Sequence, residues 1–98
     1  MLKSVLCVAL VGVLCSVQAK GEGDAYFSIA EKAYQSKGYK KALEYFKKAA
    51  SMGDAAGYNN LGNLYENGEG VQKNLQRALE YHKKACELGF KDACHRIK

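Results

Sequence analysis

The 98-residue chain contains no proline and no tryptophan. Without proline there are no polyproline segments and no ring to break a helix, so several uninterrupted helices form easily. β-Branched residues are scarce, which argues against a sheet protein. The net charge is +5 with a pI of about 9.0, yet the cations are dispersed and never gather into a basic run. That dispersion permits nucleic-acid binding but does not argue for it, and none is expected. Only two histidines are present. What is abundant is alanine, lysine, leucine, glutamate and tyrosine, a helix-forming mixture. Charged residues at 26% and apolar residues at 48% describe a globular chain. Its length allows one domain at most.

The first residues read as an export leader. Met1-Leu2-Lys3 is a short positive start, Ser4 to Val17 carries no charge, and Val17-Gln18-Ala19 ends on small residues at the positions a signal peptidase reads. The apolar stretch is shorter than the roughly 20 residues that span a bilayer. Cleavage after Ala19 is expected, leaving 20–98 as the mature domain, secreted or periplasmic, with no membrane attachment. Lipidation is not expected, because Leu6 precedes Cys7 and Leu14 precedes Cys15 where a small residue is needed. The leader removes Lys3 and no acid, so the mature charge is +4. It also removes Cys7 and Cys15. An exported chain left with one pair, Cys86 and Cys94, reads as carrying a disulfide. A domain of this size has a marginal core, and such a staple matters to it.

Shifting the chain by 36 residues lays Tyr39–Gly62 over Leu75–Lys98, and eight of the 24 positions are then identical. Ala42-Leu43-Glu44-Tyr45 meets Ala78-Leu79-Glu80-Tyr81, Lys47-Lys48-Ala49 meets Lys83-Lys84-Ala85, and Gly53 meets Gly89. Each unit reads as a helix pair. Asp24 caps a first helix that runs to about Lys37 and stops at Gly38. The second runs from Tyr39 to Met52. Asp54 caps the third, which ends at Gly68, and Asn74 caps the fourth, which ends at Gly89. A fifth trails from about Lys91. Glycine just past each of the first four is the expected left-handed cap. Ala42, Phe46 and Ala49 form one apolar stripe, and Ala78, Ala85 and Cys86 another. Glu44–Lys48 and Glu80–Lys84 are i,i+4 pairs on the wet face.

These residues carry a resemblance. Ala42-x3-Phe46-x2-Ala49 is similar to the second helix of a tetratricopeptide repeat, and Leu61-Gly62-x2-Tyr65 to its first. The loop Asn67-Gly68-Glu69-Gly70-Val71-Gln72-Lys73-Asn74 marks the related Sel-like repeat. Lys83-Lys84-Ala85-Cys86-Glu87-Leu88-Gly89 with Ala93-Cys94 resembles the Helicobacter cysteine-rich protein family, secreted solenoids with one such disulfide per repeat. The implied fold is all-α: an αα-hairpin solenoid of about two Sel-like repeats plus a trailing C-terminal helix. Unit one covers about 24–53, unit two about 54–89, and the trailing helix about 91–98. The chain departs from the pattern where Ala50 and Tyr58 replace a Cys pair. Its first unit also lacks four loop residues, as the family's N-terminal unit does, so the chain resembles a beginning joined to an end.

By the same resemblance the first helix of each unit lines a concave groove. That places Phe27, Glu31 and Tyr34 in the groove from unit one, Asn59, Asn63 and Glu66 from unit two, and His95 from the trailing helix. The implied function is a small binding module for a peptide, a cell-wall fragment or a host protein, as a monomer or weak dimer. The family also implies β-lactam binding and hydrolysis. The residues themselves show no catalytic set for it. No Ser-x-x-Lys occurs, and Ser28 with Lys32 shares only a helix face. Two histidines are too few for a metal centre, which needs three convergent ligands, so no metal and no cofactor are expected. His82 falls in the register of Phe46 and reads as a packing residue, while His95 aligns with Asn59. Tyr45, Tyr58, Tyr65 and Tyr81 read as packing residues too. Gly68-Glu69-Gly70 is a loop without the strand or the Lys-Ser/Thr of a phosphate cradle.

Overall fold

The computed structural model describes residues 23–97. The expected leader and its cleavage point lie outside them. Four helices of 13 residues follow one another: α1 (23–35), α2 (Tyr39–Ser51), α3 (Ala55–Asn67) and α4 (Leu75–Glu87). A single turn, α5 (Lys91–Cys94), closes the chain. Among the described residues there is no strand. Short connections force each helix back along its predecessor, so the helices form successive antiparallel hairpins.

The helix ends follow from individual side chains. Asp54 accepts from the Ala56 amide at 3.1 Å and Asn74 from the Arg77 amide at 3.0 Å. Each satisfies an orphan donor of the first turn, a contribution of about 1 kcal/mol. Gly53, Gly68 and Gly89 take the left-handed conformation expected of them. Two expectations at the first helix are corrected. The helix already includes Gly23, so Asp24 stands within its first described turn and does not cap it. At its other end the left-handed residue is Lys37, at φ 66°, while Gly38 stays at φ −87°. The turn closes there because the Gly38 amide bonds the Ala33 carbonyl at 2.8 Å, which pushes the reversal one residue forward of the glycine. The trailing helix is also shorter than 91–98, with one α-helical turn and then looser turns.

The core is small and rich in alanine. Ala30 and Ala33 of α1, Ala42, Phe46 and Ala50 of α2, and Leu61 and Leu64 of α3 form one buried cluster. Alanine lets the helices approach closely, and aromatic rings fill what remains. Phe27 meets Phe46 edge-on at 5.5 Å, and Tyr81 lies 6.1 Å from Tyr58 and 5.5 Å from Tyr65. Tyr45, Tyr58 and Tyr81 pack half-buried, and Tyr65 is buried, which agrees with their reading as packing residues. Cys86 and Cys94 are joined in a disulfide across the α4–α5 turn, as the cysteine arithmetic expects.

The long α3–α4 loop adds a second tie between the two units beside the shared core. At Gly70, φ is +76° and a Cβ would stand 2.6 Å from the Tyr39 carbonyl carbon, so only glycine fits. Beside it, the Tyr34 hydroxyl donates to both Glu69 carboxylate oxygens, at 3.0 and 3.2 Å. The loop therefore folds back onto the α1–α2 turn instead of standing free.

Candidate functional site

α1 and α3 are the first helices of the two units, and a cavity of about 260 Å³ opens between them. Glu31, Tyr34 and Gln35 project from α1 at helical spacing. Asn60, Asn63 and Leu64 face them from α3, and Phe46 of α2 lies at the floor. Phe46 and Leu64 are buried, so the floor is apolar, and the polar groups stand on the walls. The Asn63 side-chain oxygen is buried and receives no hydrogen bond from the protein. A buried acceptor without a donor is unfavourable by about 1–3 kcal/mol, which a ligand N–H would relieve. The Tyr34 phenol is held above its ordinary value by desolvation first, then by its hydrogen bond to Glu69 and that carboxylate's charge. It stays a neutral donor to Glu69 at physiological pH, with its oxygen lone pairs free.

A second cluster lies between α3, α4 and the C-terminal turns. His82 is buried at 2% exposure and contacts Gly62 so closely that a Cβ there would meet the ring at 2.7 Å. Its Nδ1 lies 3.1 Å from the Asn59 side-chain oxygen. Since that oxygen only accepts, Nδ1 carries the proton. Nε2 is then a buried nitrogen without a hydrogen-bond partner, 3.4 Å from a Glu66 oxygen that accepts from Arg96 at 3.1 Å. Burial drives the His82 pKa down; Glu66 opposes this because it would accept from and attract the protonated ring, and Arg96 adds to the lowering. Leu75, Ala78 and Leu79 border this cluster, which opens to solvent through a cavity of about 280 Å³.

The seven groove residues named from the sequence thus fall in different places. Glu31, Tyr34 and Asn63 share the α1–α3 cavity. Phe27 packs on Phe46. Asn59 and Glu66 are engaged by His82 and Arg96, and His95 is exposed beyond α5. Gln35 and Asn60 were missed. Their signal was available, because Glu31, Tyr34 and Gln35 are spaced i, i+3, i+4, and Asn60 stands i, i+3 from Asn63. Among the described residues no group of three His, Cys, Asp or Glu could hold a metal, and no helix is long and apolar enough to cross a membrane.

Stacked αα-hairpins with a cavity between their first helices define a helical-repeat protein. The chain belongs to the Sel1 repeat family, whose pattern matches residues 30–54 and 55–90, and repeats of this kind mediate protein–protein interaction. Its relatives include HcpC of Helicobacter pylori, 35% identical over 76 residues, 76% of this chain and 26% of that protein. HcpE of the same organism is 45% identical over 51 residues, 52% of this chain and 14% of that protein. Both names provisionally call those proteins β-lactamases. The chain thus spans about a quarter or less of the curated Helicobacter relatives it matches. The solved structure of Helicobacter pylori cysteine rich protein B superposes with a TM-score of 0.70 at 32% identity, over 74% of this chain and 58% of that one.

Proposed function

We propose that this chain is an exported binding module that holds a segment of a peptide, cell-wall fragment or host protein between α1 and α3. The observation that carries this reading is the buried, donorless Asn63 oxygen in a cavity bordered by the first helices of both units. Asn60 and Asn63 lie nearly one turn apart, a spacing that lets two amides grip successive groups of an extended backbone. Peptides selected against the disulfide-bonded protein from a random display library test the reading. Replacing Asn60 and Asn63 with Ala is expected to weaken the selected peptides by about 1–3 kcal/mol with the fold intact. Unchanged affinity would assign the binding to another surface. Export is tested separately: mass spectrometry of protein from an expressing bacterium is expected to find an N-terminus at Lys20, and a retained Met1 would refute cleavage.

The names of the Helicobacter relatives favour a second reading, hydrolysis of the β-lactam amide. A chromogenic cephalosporin tests it. Turnover that disappears in Glu31→Gln and Asn63→Ala would support an enzyme centred on the cavity. Turnover equal in all samples would be background.

A further inference from the structure

The α1–α3 cavity has one carboxylate, three side-chain amides and no cation in its lining. The Asn63 oxygen is buried and unpaired, the Glu31 carboxylate stands on the opposite wall, and the Tyr34 hydroxyl has spent its proton on Glu69. Glu69 therefore adds its negative charge at the same edge. None of the lining residues is basic. This is notable in a chain of net charge +5. The cations of the first unit are concentrated on α2, which carries Lys40, Lys41, Lys47 and Lys48, whereas α3 has no basic residue at all. The volume of about 260 Å³ is also below the roughly 300 Å³ at which small-molecule sites begin. It suits one long side chain, with the rest of the ligand outside.

We propose that the cavity receives the cationic side chain of a lysine, presented by an extended peptide. Its methylenes lie over the apolar floor of Phe46 and Leu64. Its ammonium donates to the Asn63 oxygen and to Glu31, so the buried acceptor gains the partner it lacks. The same lining disfavours a β-lactam, whose carboxylate would face the Glu31 carboxylate with no cation beside it. This inference rests on the binding reading above.

The test uses the disulfide-bonded, 15N-labelled protein. Three N-acetylated, C-amidated peptides Gly-Gly-X-Gly-Gly carry lysine, norleucine or glutamate at X and are followed by chemical-shift titration. The lysine peptide is expected to move the Asn63 side-chain amide and the α1 signals of Glu31 and Tyr34, with a Kd at least about tenfold below that of norleucine. Glu31→Gln is expected to remove most of that preference. Asn63→Asp keeps the acceptor and adds charge, so it is expected to tighten the lysine peptide, while a native-like spectrum verifies each variant's fold. Equal affinity for lysine and norleucine, or stronger binding of glutamate, would overturn the cationic specificity and leave the groove reading standing. If no peptide disturbs the cavity signals, both fall.

Discussion

Asn59 and His82 join the two helices of the second unit by a 3.1 Å hydrogen bond, buried at a position where the first unit has phenylalanine. The 36-residue register sets His82 on Phe46, and the side chain does take the packing place of its counterpart. It differs in needing a polar partner, and α3 supplies one. Asn59 is therefore committed to holding α4. Asn59→Ala would leave a buried ring N–H without an acceptor, and a loss of about 1–3 kcal/mol in chemical denaturation is expected.

Stability is expected to depend on pH through His82. Its folded pKa is lowered, chiefly by burial, so below the unfolded value of about 6.5 the unfolded chain binds more protons. The contribution is fully present above pH 6.5 and is lost as pH falls toward the folded value. The melting temperature should drop between pH 7.5 and 5.5, and His82→Gln should flatten the slope over that interval. A variant that keeps the whole slope would place the titration elsewhere.

Gly62 is expected to tolerate no side chain. A Cβ there would meet three atoms of the His82 ring within 2.9 Å. Because the ring is buried and bonded to Asn59, it cannot swing aside. Gly62→Ala should destabilise by about 1–3 kcal/mol despite alanine's better helix propensity. In the double variant with His82→Ala, most of that penalty should disappear, and thermal denaturation of the four proteins measures the coupling.

Lys37 adopts a left-handed conformation that disfavours a residue with a Cβ. Lys37→Gly should stabilise by about 0.5–1 kcal/mol, a rise of a few degrees in melting temperature. The neighbouring Gly38→Ala is expected to be mild, because φ is −87° there and the nearest non-local atom to an added Cβ is 3.4 Å away.

The Cys86–Cys94 bond closes a loop of sequence separation 8. The chain-entropy estimate for such a loop is about 2.5 kcal/mol. α5 is a single turn, and Ala93 is its one buried residue. Reduction should lower the melting temperature by several degrees and raise hydrogen exchange first over residues 91–97. Two free thiols in protein recovered from an oxidising compartment would contradict the bond.

The helix order, the repeat and the disulfide were legible because each rests on local chemistry. Asp54 and Asn74 cap with their own side chains, Gly53, Gly68 and Gly89 reverse the chain where they stand, and a cysteine pair eight residues apart can meet across one turn. The exception at Lys37 is one residue wide. The position of the reversal was decided by which carbonyl the Gly38 amide could reach, and the identity of the nearby glycine did not decide it.

The sequence by itself determined the all-α hairpin repeat, because hydrophobic period, capping residues and the 36-residue self-similarity all act within or between neighbouring turns. Only the tertiary structure decided which polar residues face the groove. Asn59, Asn60 and Asn63 are alike in composition and lie within two turns of one helix. Yet Asn59 turns to the buried His82, while Asn60 and Asn63 turn to the space beside α1. Rotation of α3 about its own axis settles that choice. It is set by how Leu61 and Leu64 seat against Phe46 and by the clearance Gly62 leaves for the imidazole, both contacts between helices distant in sequence.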